Sequence, residues 1–298
     1  MALVEQALNI PTQESTLKDY ITLLKPRVMS LVVFSGLAGL LVAPGNIHPF
    51  IGFIAVLCIA MASGAAGAIN MWYDTDIDSV MERTKNRPTV TGKIPAESAR
   101  DFGIVLGFVS IVIMAVCVNL ISSLLLLMAI LFYVFVYTIW LKRNSVQNVV
   151  IGGASGAFPP MIGWSAVTGN IAIESIILFM IIFTWTPPHT WALSLYKISD
   201  YKKGNIPMLP VVKGDEHTKQ QIILYTILMI IMSLAPCYFD MSGSFYFLSA
   251  LVLGGIFLYY TILLFKDKKN TIAPKVFGFS IIYLFLIFVT LVIDNITR

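Results

Sequence analysis

Nine stretches of mostly apolar residues divide the chain, at about 23–44, 49–72, 102–119, 122–141, 147–168, 171–196, 220–240, 244–265 and 275–296. A bilayer-crossing helix needs about 20 such residues, so each stretch predicts a transmembrane helix. The expected fold class is therefore all-α: a polytopic membrane protein built as a nine-helix bundle. Residues 1–22 read as a polar amino-terminal arm, and 23–298 as a single transmembrane domain. The arm holds Glu5, Glu14 and Asp19, and the first Arg in the chain is Arg27. That composition matches neither a cleaved signal peptide nor an Arg-rich mitochondrial presequence, and it favours a bacterial-type plasma membrane.

Composition agrees with this pattern. Of 298 residues 57% are hydrophobic and 12% charged, against about a quarter charged in soluble domains. Disorder, collagen and a disulfide-stapled module are excluded. Cys58, Cys117 and Cys237 each sit alone in an apolar stretch, as core residues would, and no CxxC spacing exists. The net charge of +4 reads as topology and not as nucleic-acid binding, because the bases are sorted. Every Lys and Arg except Arg298 lies at the amino-terminal end or in the connections after helices 2, 4, 6 and 8. Bases gather on the cytoplasmic side of membrane proteins, which predicts a cytoplasmic amino terminus and an external carboxyl terminus.

Two of the cytoplasmic connections, about 74–101 and 197–219, are long and carry both signs of charge. The first follows the helix end GAAGAINMWYDTDIDSVMERTKNRP. Asn70, Asp74 and Asp78 recur every four residues, a turn of about 400° per step, and so share one helix face, while Asp76 lies about 200° from Asp74 and faces away. Carboxylates near a bilayer need a partner, water or a cation. Hard oxygen ligands suit Mg2+, which bridges carboxylates to substrate phosphates, and the nearby Arg83 and Arg87 suit diphosphate oxygens. A solvated helix end with surface ion pairs explains the same residues, and spacing alone leaves both readings open. The second stripe, Tyr196, Asp200 and Gly204, repeats the spacing of four. His189, eleven residues before Asp200, falls on nearly the same face and about 16 Å deeper if Pro187 and Pro188 leave the helix intact. It serves either a long amphipathic substrate or backbone groups freed by the prolines.

Other signals concern packing. Gly103 and Gly107, and Gly152 and Gly156, have the GxxxG spacing of close helix contacts. Gly152-Gly153 has no preceding strand, which sets dinucleotide binding aside. Pro159-Pro160 is expected to kink or interrupt the fifth helix, and His48 and His217 fall in loops.

On these residues the chain resembles the UbiA superfamily of intramembrane prenyltransferases, and within it the heme-modifying branch. The matching stretches are LLKPRVM at 23–29, NMWYDTDIDSVMERTKNRP at 70–88, VVIGGASGAFPPMIGWSAVTG at 149–169 and TWTPPHTWALSLYKISDYKKGNIPMLP at 184–210. The resemblance implies a nine-helix bundle around a lateral cavity capped by two acidic motifs. It implies a catalytic set of Asn70, Asp74, Asp78, Tyr196 and Asp200, with Mg2+ on Asp74, Asp78 and Asp200. Lys25, Arg27, Arg83, Arg87, Lys142, Lys202 and Lys203 would hold the diphosphate, and His189 and Trp191 the heme. Tyr196 stands where many relatives have a second Asp, and Thr190 replaces an expected aromatic residue. The implied reaction joins farnesyl diphosphate to a vinyl group of heme b, giving heme O. Heme A synthase or a terminal-oxidase assembly are the implied protein partners. Two alternatives remain at this level: a polyprenyltransferase acting on an aromatic acid or quinone precursor, and a transporter of an anionic lipid precursor.

Overall fold

The computed structural model describes residues 15–298, and all regular structure within them is helical. Residues 1–14 of the expected arm, with Glu5 and Glu14, lie outside the described residues. The remainder of that arm is not featureless: α1 (Leu17–Leu23) is a helix opened by a capping box between Thr16 and Asp19, which satisfies two otherwise free amides reciprocally. Lys25, with a positive φ of 51°, turns the chain into α2 (Pro26–Val42).

The long helices that follow are α3 (Pro49–Tyr73), α5 (Ala96–Cys117), α6 (Leu120–Asn144), α7 (Asn148–Thr168), α8 (Ile173–Tyr196), α11 (Asp215–Tyr238), α12 (Ser244–Lys266) and α13 (Ala273–Thr297). Three short helices, none foreseen, lie between them: α4 (Thr75–Val80), α9 (Ile198–Lys203) and α10 (Leu209–Lys213). Seven of the long helices are apolar enough to cross a membrane, and α1 with α2, bent by 57°, makes an eighth span if the pair is one. The chain is thus a multi-span membrane protein.

α7 is not among the seven, although it has 21 residues. Its glycines, serines and prolines dilute its hydropathy, and burial explains why it carries them. It packs against α2, α6 and α8, and residues from both of its sides enter the two large cores. One core unites α7 with α8 and α11–α13, the other unites α7 with α2, α3, α5 and α6. Around this axis the helices close a ring, since α13 returns to pack on α2.

Neither proline pair interrupts its helix, although interruption is one of the two outcomes expected at Pro159-Pro160. α7 runs unbroken through Pro159 and Pro160, and α8 through Pro187 and Pro188. In α7 the reason is contact: the Pro159 and Pro160 carbonyls face Gly36 and Gly39 of α2 so closely that a Cβ on Gly39 would lie 2.1 Å from Pro160 O. The two GxxxG pairs also differ from each other. Gly103 lets α5 approach α3, where a Cβ would come within 2.9 Å of Ala65 O, and Gly107 faces the Ala65 side chain. Gly152 receives the ring of Tyr137, whereas Gly156 has nothing within 4 Å and borders a cavity.

Candidate active site

The stripe expected at the end of α3 is present, but on a broken helix. Asp74 closes α3 and opens α4 with φ −95° and ψ 9°, and Asp78 N donates to Asp74 O at 2.8 Å, so the helical direction resumes at once. Asn70, Asp74 and Asp78 are 3%, 0% and 2% exposed, while the Asp76 side chain is 64% exposed. The face assignment read from the spacing therefore survives the break.

Burying carboxylates requires compensation, and four bases supply it. Lys142, at the end of α6, forms an ion pair with Asp74, and Arg87 forms one with Asp78. Arg87 reaches back because the 81–94 segment is a run of turns folded onto the helix end, with Thr84 Oγ1 donating to Asp78 O at 3.0 Å and Thr89 Oγ1 to Met71 O at 3.3 Å. Lys25 Nζ donates to Asn70 Oδ1 at 2.6 Å, and Asn70 Nδ2 donates to Asp74 Oδ2 at 2.6 Å and to Thr138 Oγ1 at 3.2 Å. Arg143 donates to both Asp76 oxygens at 2.8 and 2.7 Å. This fork holds the Asp76 carboxyl below its ordinary pKa. Four bases thus stand around three carboxylates, a setting in which an anion can be held.

Thr138 and Arg143 are members of this site that sequence reasoning missed. Thr138 belongs to a π-helical stretch, Phe132–Leu141, inside α6. The wider turn presents Thr138 and, at its end, Lys142 and Arg143 to the end of α3. π-helical stretches often mark functional sites, but nothing in FYVFVYTIWL announces one. Arg143 was visible in the sequence only as one of two bases in a short connection.

Below this cluster lies a cavity of about 160 Å³ between α2, α3, α6 and α7. Its walls include Val28, Val32, Ile59, Leu126, Ile130 and Ile162, and Lys25 and Gly67 stand at the end next to Asn70. The walls are almost wholly apolar, so the space accepts a hydrocarbon chain whose charged head meets the bases above.

The second motif is only partly where the stripe placed it. α8 ends at Tyr196, and the break at Lys197 (φ −111°, ψ 24°) sets Asp200 on a separate helix, α9. Asp200 is 5% exposed and accepts from the Arg83 amide at 3.4 Å. The two motifs touch through apolar contacts, since Gly204 packs on Ile77 and Met81. Among the described residues no three His, Cys, Asp or Glu side chains come together to hold a metal. The expected joint cluster of Asp74, Asp78 and Asp200 is therefore not formed: each carboxylate is engaged separately. The donors still fit Mg2+. Asp74 Oδ1 is buried with no hydrogen-bond partner, and Mg2+ uses one or two carboxylates, its own waters and substrate phosphates in place of an all-protein cage. Arg27, Arg83, Lys202 and Lys203 are exposed and make no ion pair among the described residues.

His189 lies elsewhere, on the α8 face turned to α13. Its ring stacks between Trp185 (4.2 Å between centroids) and Phe277 (4.6 Å), and Nδ1 is 2.6 Å from Ser280 Oγ. It does not cap carbonyls freed by the prolines. Tyr196 meets the same Phe277 edge-on at 6.1 Å. Trp191 points to α11 instead, edge-on to Tyr225, with its indole nitrogen buried and unpartnered. Two positions on a helix differ by about 200°, so His189 and Trp191 do not share a face.

A bundle of membrane-spanning helices whose buried carboxylates and bases cap an apolar cavity defines a class of intramembrane enzyme. Residues 32–289 match the UbiA prenyltransferase family, and the chain belongs to it. The protoheme IX farnesyltransferase of Orientia tsutsugamushi (strain Ikeda) is 55% identical over 281 residues, covering 94% of this chain and 90% of that protein. The protoheme IX farnesyltransferase of Rickettsia bellii is 54% identical over 279 residues, covering 93% of each. Among solved structures, a digeranylgeranylglyceryl phosphate synthase superposes with a TM-score of 0.79 at 20% identity, covering 95% of this chain and 99% of that one. A UbiA homologue from Archaeoglobus fulgidus bound to DMAPP and Mg2+ superposes with a TM-score of 0.65 at 17% identity, covering 91% and 99%. At those identities the structural likeness speaks for the fold.

Proposed function

We propose that this prenyltransferase transfers the farnesyl group of farnesyl diphosphate to a vinyl group of heme b, releasing diphosphate and yielding heme O. The arrangement that carries the chemistry is the set of buried carboxylates with paired bases at the head of an apolar cavity. The heme acceptor follows from the likeness to protoheme IX farnesyltransferases across more than nine-tenths of the chain.

In this reading Asp74 and Asp78, with Asn70 beside them, would hold Mg2+, and Asp200, apart from them on α9, would add a ligand from the second motif; the ion would offset the charge that grows on the leaving diphosphate. Lys142 and Arg87 exchange their carboxylate partners for phosphate oxygens, with Lys25 at the cavity end adding a third donor. Stabilising the departing anion lowers the barrier to C1–O cleavage. The apolar walls hold the chain in place and keep bulk water from the allylic cation. The vinyl π-electrons form the new C–C bond. Water then adds to the porphyrin-side cation and loses a proton, leaving a hydroxyethylfarnesyl substituent.

His189 is the heme-facing residue of this reading. Ser280 occupies Nδ1 and leaves Nε2 free, and the aromatic sandwich fixes the ring. Replacing His189 with Ala is expected to weaken heme binding about tenfold while leaving farnesyl diphosphate binding intact. Heme titration of the purified variant measures this, and unchanged heme affinity together with unchanged turnover defeats the assignment.

The active-site mouth faces the cytoplasm of a bacterial-type plasma membrane, with α1–α2 and α7 completing nine spans and the carboxyl terminus outside. Bases concentrated at one end of the bundle support that orientation. The deciding experiment incubates purified protein with heme b, farnesyl diphosphate and Mg2+, with and without a chelator. Mass analysis of the extracted heme is expected to show a farnesylated, hydrated product that disappears with the chelator. Prenylation of an aromatic acid in its place overturns the acceptor.

A further inference from the structure

The break between α3 and α4 is gripped from both sides by one side chain of a distant helix. Arg143 Nη2 donates to Tyr73 O at 2.9 Å, and its guanidinium lies 4.8 Å from the centroid of the Tyr73 ring. On the other side of the break its two terminal nitrogens engage both oxygens of Asp76. Nη2 is also only 3.6 Å from Asp74 Oδ1, the buried oxygen that no hydrogen bond satisfies. Arg143 is 30% exposed and Asp76 64% exposed, so the arginine stands between a carboxylate in water and a carboxylate in the protein interior.

An exposed ion pair contributes about 0–1 kcal/mol to stability, which gives the fold little reason to keep this one. Its position gives a different reason. A guanidinium beside a buried, unsatisfied carboxylate oxygen is drawn toward it, because the attraction grows as the dielectric falls. A fork-to-fork pair is directional and holds the guanidinium in one plane. Without Asp76, the arginine keeps the Tyr73 carbonyl and has one carboxylate left within reach, Asp74, whose free oxygen is the one a cation would need.

We propose that Asp76 is a positioning residue that holds the Arg143 guanidinium off Asp74 Oδ1 and so keeps that oxygen open for a divalent cation. Asp76 does not touch the substrate or the metal; it acts through Arg143. The proposal rests on the reading of Asp74 as a metal ligand. It predicts an unusual dependence between two substitutions: losing Asp76 is harmful because Arg143 is present, and removing Arg143 as well relieves the harm.

Mn2+ binding to purified full-length protein, followed by electron paramagnetic resonance with inorganic pyrophosphate present, tests this apart from turnover. Asp76→Asn is expected to weaken Mn2+ binding about tenfold, the lower end of the effect of residues that orient metal ligands. It is also expected to raise the Mg2+ concentration for half-maximal rate by the same factor, with kcat at saturating Mg2+ retained. In Asp76→Asn with Arg143→Gln, Mn2+ affinity is expected to return to within about threefold of the unsubstituted protein. Unchanged Mn2+ affinity in Asp76→Asn overturns the proposal, and so does a double variant no better than the single one. An unsubstituted protein that binds no Mn2+ with pyrophosphate overturns the metal reading of the site and this proposal with it. Binding by the unsubstituted protein and equal binding by Asp76→Asn overturns this proposal alone.

Discussion

Replacing Asp74 with Ala is expected to lower turnover by roughly a thousandfold, the upper range for removing one preorganised group that offsets transition-state charge. Asp74 stands at the centre of the cluster: it takes the Asn70 amide, pairs with Lys142 and has a buried Oδ1 that no hydrogen bond satisfies. Its loss unties both neighbours and, in the proposed reading, removes a metal ligand. The fold should tolerate it. Breaking a buried pair costs about 3–5 kcal/mol when the remaining charge is trapped, but the Lys142 side chain is 15% exposed and has water within reach. Asp78→Ala is expected to behave alike, because Arg87, 17% exposed, has the same escape. Asp74→Asn separates charge from hydrogen bonding: it keeps an acceptor for Asn70 and is expected to be nearly as inactive as Asp74→Ala. The measurement is farnesyl transfer by purified protein, with thermal unfolding in detergent as the control. Near-normal turnover in either alanine variant defeats the metal–diphosphate assignment.

The second large effect concerns α7. Gly163→Ala is expected to destabilise the protein by about 3 kcal/mol, the upper part of the usual range for overpacking. A Cβ there would sit 2.0 Å from Gly36 O and 2.8 Å from Leu40 N. Those are backbone atoms of α2, so no side chain can turn aside and a whole helix must move. α7 enters both cores, so a shift against α2 disturbs each of them. Gly156→Ala on the same helix supplies the contrast. Nothing lies within 4 Å of its would-be Cβ, and alanine is the better helix former by about 1 kcal/mol. Stability is expected to hold or rise while the cavity narrows. Yield and thermal unfolding in detergent compare the two, and equal stability of Gly163→Ala and the unsubstituted protein contradicts the α2–α7 approach.

These two residues show where sequence reasoning succeeds and where it stops. Asp74 and Asp78 were legible because a spacing of four maps onto one helix face whatever the neighbours are, and even the break at Asp74 did not turn them apart. Asp76 was legible as outward-facing for the same reason. Gly163 was not legible as a contact. The GxxxG pairs marked α5 and the start of α7, yet the tightest backbone approach is made by Gly36, Gly39 and Gly163, whose spacings span two helices. The extension of one stripe from His189 to Asp200 failed at Lys197, where one residue's dihedrals reset the helix. Arg143 and Thr138 were invisible because their roles depend on a π-helical stretch and on partners nearly 70 residues away.

The sequence by itself determined that the chain is helical and crosses a membrane several times, the sidedness expected of the bases, the acidic faces and the family resemblance. All of these follow from periodicity, composition or local motif, which act over a few turns of one helix. The tertiary structure alone decided that the proline pairs leave their helices unbroken, that Asp200 is held apart from Asp74 and Asp78, and that His189 and Trp191 face different neighbours. It also decided which base meets which carboxylate. The physical reason is that pairing, burial and close approach are properties of two elements at once. A buried carboxylate is compensated by whichever base the packing brings within reach, and packing is settled only when the helices come together.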